Sequence, residues 1–278
     1  MKKTFDELKA GFDNPVLFKR GGQKVVWRAQ HPRFGQVVIK VYFGCDDRAE
    51  REVTISHRVR LGCVPTIHEV GLVAYEGQDT IYVVEQFIEG TNVREMLESG
   101  GRFGTLEAVS FLEQGFAFVG QLEELHVVHR DIKPENLIRT SEGVIFFLDF
   151  GIARALDLQS LTQTGAMLGP HTPGYAAPEQ FSNFKRQIDS RADLFSLGVV
   201  AYECLTGSSP FSRNAEGILD ILQRTATVTP ASYQIPGDAE HLFMGLLSSL
   251  MGKSPSMRPK DARQATEWLG AVESTLKL

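Results

Sequence analysis

His129-Arg130-Asp131-Ile132-Lys133-Pro134-Glu135-Asn136, followed by Asp149-Phe150-Gly151, is the stretch on which the reading of this chain turns. It collects the carboxylates of Asp131 and Asp149, a lysine and an amide carbonyl in a loop and at the end of a short strand. Asp149 and Asn136 offer hard oxygen ligands, which suit Mg2+ held jointly with phosphates. Asp131 is then left to accept a proton from an attacking hydroxyl, and Lys133 to neutralise charge on a phosphoryl group in transfer. About seven specified residues at this spacing leave chance a negligible explanation.

Outward from that core, 137–139 and 144–148 read as short strand pieces. Upstream, Thr105 reads as the N-cap of a helix running to about Glu124, with Leu106, Val109, Leu112, Phe116, Val119 and Leu122 keeping a helical period. Downstream come a long loop and helices near 190–206, 215–224, 239–251 and 259–273. Residues 14–87 are strand-rich: 25–27, 37–43, 67–73 and 80–87 are β-branched or aromatic and bracketed by turn signals. The polar stretch 46–60 reads as one helix among them. The first residues, MKKTFDELKAGFDNP, lack the apolar run of a signal peptide and read as a short amphipathic helix. A small β-rich half followed by a larger helical half is an α+β pattern in two lobes. The expected partition is an extension over 1–13, a small lobe over 14–87 and a larger one over 88–278. The lobes would join near 86–90, the kind of junction where ligands often sit.

Composition narrows the function classes. With 278 residues, 42% hydrophobic and 23% charged, the chain has the make-up of an ordinary soluble protein and ample length for a core. A net charge of −5 argues against general nucleic-acid or anionic-membrane binding. Cys45, Cys63 and Cys204 are too few and too scattered for a disulfide framework, so reduced thiols are expected. No run of apolar residues is long enough to span a bilayer, and the expected location is the cytoplasm. The seven histidines show no metal-ligand spacing. His129 is expected to pack within its loop, and Phe111, Phe116 and Phe118 to belong to a core. No function attaches to Glu123.

On these motifs the chain resembles the protein kinase family, Ser/Thr type, and is similar to its bacterial members from about residue 15 to 269. The resemblance implies a two-lobed kinase-like fold, with a small antiparallel β-rich N-lobe carrying one helix and a larger, mainly helical C-lobe. It implies transfer of the γ-phosphoryl group of ATP to serine or threonine hydroxyls of protein substrates, with Mg2+ as cofactor and Mn2+ as the alternative. Lys40, in Val38-Ile39-Lys40-Val41, matches the lysine that holds the α- and β-phosphates. Glu52 matches its helix partner, with Glu50 as the alternative. Asp131 matches the catalytic base, Lys133 its companion, and Asn136 and Asp149 the metal ligands. Val84 matches the gatekeeper, which makes the backbone at Glu85 and Phe87 the expected adenine contacts.

Further matches are Thr172 in Thr172-Pro173-Gly174-Tyr175 for the substrate pocket, Glu179 in Ala177-Pro178-Glu179, Asp193 beneath the catalytic loop, and Arg258 as the partner of Glu179. Arg130 and Arg154 match residues that grip an activation-loop phosphate, for which Ser160, Thr162 and Thr164 are the candidate acceptors. The nucleotide-binding loop departs from the pattern. Its glycine positions fall on Lys19, Gly21 and Lys24, ahead of Val26, so only the central glycine is kept, with Gly22 beside it. Lys19 and Lys24 read as solvated lysines, with phosphate contact as the alternative.

Overall fold

The computed structural model describes residues 3–21, 24–43, 62–149, 172–181 and 188–277. The chain divides into two compact units. One comprises the described residues of Met1–Glu89 and Leu148–Ala166, the other those of Gly90–Phe147 and Met167–Leu278. An antiparallel-rich sheet in the first and mainly helices in the second give the expected α+β class.

The first unit contains β1 (Lys3–Thr4), α1 (Phe5–Lys9), β2 (Asp13–Arg20), β3 (Lys24–His31), β4 (Gly35–Tyr42), β5 (Ile67–Tyr75) and β6 (Gln78–Gln86). The strands form one sheet in the order β1-β5-β6-β4-β3-β2. All neighbours run antiparallel except β1 with β5. Glu76 and Gly77 join β5 to β6 with φ of 50° and 80°, the double left-handed geometry that suits a tight hairpin. One face of the sheet buries Val25, Ala29, Val37, Ile39, Val41, Val73, Tyr82 and Val84. Phe5, Leu8 and Phe12 complete that cluster, so the segment expected as an extension supplies part of the core. Its helix is capped reciprocally. Thr4 Oγ1 accepts from Glu7 N at 3.3 Å, while Glu7 Oε2 accepts from Thr4 N at 2.7 Å.

Because side chains alternate along a strand, the other face carries a separate set. The register pairs Lys24 with Tyr42, Val26 with Lys40, Lys40 with Val83 and Val38 with Glu85. Lys24, Val26, Lys40, Val83 and Glu85 therefore share that face. The helix expected over 46–60 lies outside the described residues.

The second unit contains β7 (Thr91–Asn92), α2 (Val93–Glu98), α3 (Thr105–Glu124), β8 (Leu137–Arg139), β9 (Ile145–Phe147), α4 (Arg191–Thr206), α5 (Ile218–Thr227), α6 (Leu242–Leu250) and α7 (Ala262–Glu273). Gly104, not Thr105, caps α3. Its N–H donates to Glu107 Oε2 at 2.8 Å, and the Thr105 hydroxyl instead donates to Pro236 O at 2.7 Å. Phe111, Phe116 and Phe118 are buried as expected. Every residue of α4 from Ala192 to Leu205 is buried, a helix enclosed on all sides. Two glycines permit this. A Cβ on Gly115 of α3 would meet Leu197 Cδ2 at 2.7 Å, and one on Gly198 of α4 would meet Leu250 Cβ at 2.7 Å. Glu123, to which the sequence attached no role, ties the unit together. Its Oε1 accepts from Ser190 Oγ at 2.5 Å and from Ala262 N at 3.1 Å, beside the starts of α4 and α7. Among the described residues no helix is long and apolar enough to cross a membrane. Cys63 and Cys204 are reduced thiols, and burial pushes Cys63 up to about 11, so it stays protonated at neutral pH. Cys45 lies outside the described residues.

Candidate active site

In the second unit, the loop ahead of β8 is held from the N-terminal end of α4. The fully buried Asp193 carboxylate accepts the main-chain N–H of His129 at 2.7 Å and of Arg130 at 2.8 Å. Arg130 has a φ of 67°, a left-handed conformation that costs a non-glycine residue energy unless its surroundings impose it. Two amides converging on one carboxylate impose it here. Burial raises the Asp193 pKa, while His129 and these backbone donors work against that rise. Gln180, unremarked in the sequence, adds a second brace. Its amide donates to Arg130 O at 2.9 Å and accepts from Ala177 N at 2.9 Å. His129 is buried against Phe118, with ring centroids 5.8 Å apart, and its Nδ1 accepts from Asp131 N at 3.3 Å.

This bracing presents the Asp131 carboxylate to three partners. Lys133 Nζ lies 3.0 Å from Oδ1, Thr172 Oγ1 donates to the same oxygen at 3.0 Å, and Asn136 Nδ2 donates to Oδ2 at 2.9 Å. Lys133 Nζ also donates to Thr172 Oγ1 at 2.6 Å, closing a triangle of base, ammonium and hydroxyl. Asn136 sits in a one-turn 3-10 helix, Pro134–Asn136. Its Nδ2 also donates to Asp131 O at 3.0 Å, which leaves the amide oxygen as the atom able to face a hard cation. Further from the base, Arg258 and Glu179 form the expected pair, bidentate at 2.6 and 2.9 Å.

Lys40 is the centre of the group in the first unit. Its Nζ lies 2.7 Å from Asp149 Oδ1 and 2.5 Å from Glu85 Oε1, almost wholly buried. Lys24 Nζ bonds the other Asp149 oxygen, Oδ2. Burial works against charge on Lys40, but Asp149 and Glu85 outweigh it and raise its pKa. Burial likewise opposes ionisation of Asp149, and the two lysines overcome it, holding the carboxyl far below the usual range. For Glu85 and Lys24 burial prevails, raising the first and lowering the second.

Val84, matched to the gatekeeper, lies in the core cluster on one face of the sheet, and the Glu85 side chain is the one beside Lys40 on the other, as the strand period of two requires of neighbours. Of the expected backbone contacts, the Phe87 N–H is already donated to Gln36 O at 3.3 Å. Lys24 is not a solvated lysine, since its ammonium sits on Asp149, whereas Lys19 is exposed. Val26 is buried opposite Lys40, and Gly21 N–H closes the β2–β3 hairpin onto Lys24 O at 2.9 Å. Glu50, Glu52, Gly22, Phe150, Gly151, Arg154, Ser160, Thr162 and Thr164 lie outside the described residues.

A network that the sequence did not flag surrounds Tyr175. Arg94 Nε lies 2.9 Å from Glu135 Oε1, Arg94 Nη1 lies 3.1 Å from Glu203 Oε1, and the Tyr175 hydroxyl donates to Glu203 Oε2 at 2.6 Å. Arg94 also bonds that hydroxyl. Its available signal was the position of Tyr175, at the end of the Thr172-Pro173-Gly174-Tyr175 segment.

Comparison with known proteins agrees with this geometry. The model of the protein kinase domain matches residues 37–269. Serine/threonine-protein kinase PknA of Mycobacterium tuberculosis is 29% identical over 267 residues, covering 93% of this chain and 60% of the relative. Serine/threonine-protein kinase PknH of Mycobacterium bovis is 32% identical over 250 residues, covering 87% of this chain and 40% of the relative. The chain thus spans about 60% and 40% of the length of these two curated relatives. With the domain match covering most of its residues, and the braced Asp131 loop and the Lys40–Asp149 pair in place, the chain belongs to the protein kinase family.

Proposed function

We propose that this chain is a Ser/Thr protein kinase that transfers the γ-phosphoryl group of ATP to serine or threonine hydroxyls of protein substrates, its own activation loop included. The observation that carries the reading is the triangle of Asp131, Lys133 and Thr172. Asp131 is placed to take the proton of an attacking hydroxyl, and its carboxylate is oriented by Asn136 and Thr172. Lys133 offsets negative charge beside it, and Thr172 lines the pocket for a short aliphatic alcohol. Lys40 holds phosphate oxygens, fixed by Asp149 and Glu85.

The family uses ATP with a divalent metal. The donors here fit Mg2+, with Mn2+ as the alternative, because a carboxylate and an amide oxygen are hard ligands and phosphates supply the rest. That cation, when bound, neutralises charge on the phosphates. Asn136 and Asp149 would hold it. Glu52 as the helix partner of Lys40, and Arg130 and Arg154 as readers of a phosphate on Ser160, Thr162 or Thr164, remain part of this reading, as does a cytoplasmic setting. The test is incorporation of gamma-32P from labelled ATP into protein, with Asp131→Asn as control. Incorporation that persists in the folded Asp131→Asn variant at the wild-type rate refutes the assignment.

A further inference from the structure

Asp149 has two carboxylate oxygens, and both are taken by ammonium groups of this chain. Lys40, which the kinase reading assigns to phosphate, holds Oδ1 at 2.7 Å. Lys24 holds Oδ2, and nothing in that reading calls for it. The second contact is built by the sheet. Lys24 stands at the start of β3 opposite Tyr42, on the same face as Lys40, and its Nζ lies 5.7 Å from the centre of the Tyr42 ring. A long, flexible side chain at a strand end would ordinarily extend into water. This one turns inward, and its side chain is only 27% exposed. Lys24, Asp149, Lys40 and Glu85 thus form a chain of two positive and two negative groups in which every charge has an opposite neighbour.

We propose that Lys24 is a resident counter-cation of Asp149, holding in the nucleotide-free protein the carboxylate oxygen that a divalent cation must take. The inference rests on the reading of Asp149 as a metal ligand. Two consequences follow from charge alone. A divalent cation approaching Oδ2 meets an ammonium in its coordination position and a like charge at close range, so the free protein binds metal weakly. Nucleotide reverses the balance, because its phosphates offer Lys24 another anion and the metal further oxygen ligands. Lys24 then leaves Asp149 as the metal arrives, and metal loading depends on nucleotide. The lysine that stands where the phosphate loop of the family has a glycine becomes a positioning residue for the order of loading.

The test is Mn2+ binding to the purified, nucleotide-free chain, followed by electron paramagnetic resonance of the free ion. Wild type is compared with Lys24→Met, which keeps the apolar stem and removes the charge. Lys24→Gln repeats the measurement if the methionine variant does not fold. The expected result is binding tightened by more than about threefold, near tenfold in the full effect, and lost again when Asp149→Asn is added. A smaller change, or a gain that survives Asp149→Asn, overturns the proposal. A second arm measures Mn2+ binding to wild type and Asp149→Asn in the presence of a non-hydrolysable ATP analogue. If Asp149→Asn leaves that binding intact, Asp149 is not the metal ligand and the underlying reading fails with the proposal. If it abolishes that binding while Lys24→Met changes nothing without nucleotide, only the counter-cation role falls.

Discussion

Arg258 grips Glu179 through two parallel hydrogen bonds, Nη1 to Oε1 at 2.6 Å and Nη2 to Oε2 at 2.9 Å, and the guanidinium side chain has no exposed surface. The same arginine donates Nε to Gly252 O at 2.8 Å and Nη1 to Arg191 O at 2.9 Å. It therefore joins the turn after Ala177, the start of α4 and the turn after α6. Removing one partner of a buried pair leaves the other charge uncompensated. Arg258→Ala should cost about 3–5 kcal/mol of stability, and Arg258→Lys, which lacks the planar fork, should fall between it and wild type. Chemical denaturation measures this, and a loss below about 1 kcal/mol for Arg258→Ala would contradict the pairing.

Asp193 holds the catalytic loop through the backbone amides of His129 and Arg130. Asp193→Asn presents an NH2 group to donors that need an acceptor, releasing the left-handed turn at Arg130. The expected outcome is a kcat lowered by about tenfold or more, near 1.4 kcal/mol, with the KM for ATP within about threefold of wild type. Steady-state kinetics on variant protein with a native circular dichroism spectrum decides it. An unchanged kcat would mean that the loop holds its shape without the brace.

Lys40→Ala and Asp149→Ala should each lower kcat/KM by at least about a hundredfold, because phosphoryl transfer relies on charge placement far more than on covalent chemistry. Both variants should fold. Near-wild-type phosphorylation by either one would show that the buried pair belongs to the scaffold only.

Lys253 gives a pH-dependent prediction. Its Nζ has no hydrogen-bond partner among the described residues and lies 4.0 Å from the centre of the Phe211 ring. Burial first, and the charge of Arg258 second, push its pKa down to about 8 from 10.5. Between those values the unfolded chain binds more protons than the folded one, so stability rises with pH across that window. Below about pH 8 the full penalty applies. Lys253→Met should raise the melting temperature at pH 7, by about 1–2 kcal/mol of stability after allowance for partial exposure and for the lost contact with Phe211. The gain should shrink as pH climbs from 8 toward 10.5. A gain that is constant with pH, or absent at pH 7, counts against the buried ammonium.

What the sequence disclosed and what it concealed divide along physical lines. Asp131, Asn136, Lys133, Lys40 and Asp149 were legible because their chemistry demands fixed residue types at fixed spacing. Strands β3 to β6, β8 and β9 and helices α1 and α3 to α7 were legible from pattern and turn signals, whereas β2, mostly exposed along its length, and the short α2 were not. The Glu85 side chain beside Lys40 was not legible, because motif spacing does not say which face of a strand a residue takes. Lys24 and the Arg94–Glu135–Glu203–Tyr175 network stayed hidden for a different reason. A long charged side chain reads as solvated until its distant partner is known, and each of these partners is remote in sequence. Glu123 and Gln180 carry no motif at all, and their value lies wholly in where the backbone brings them.

The core of the first unit sets where this chain can be shortened. The match to the kinase domain begins at residue 37, within β4, yet Phe5, Leu8, Phe12 and all of β2 and β3 precede it. A chain begun at residue 37 would turn β4 from an interior strand into an edge, with a row of unpaired amides and carbonyls. Val37, Ile39 and Val41 would lose the cover of α1 and β3 at the same time. Such an edge invites other copies to pair with it, so the shortened chain should self-associate in light scattering where the chain that keeps residues 3–36 does not. A boundary drawn by the domain match and a boundary drawn by folding are, in this protein, more than a whole hairpin apart.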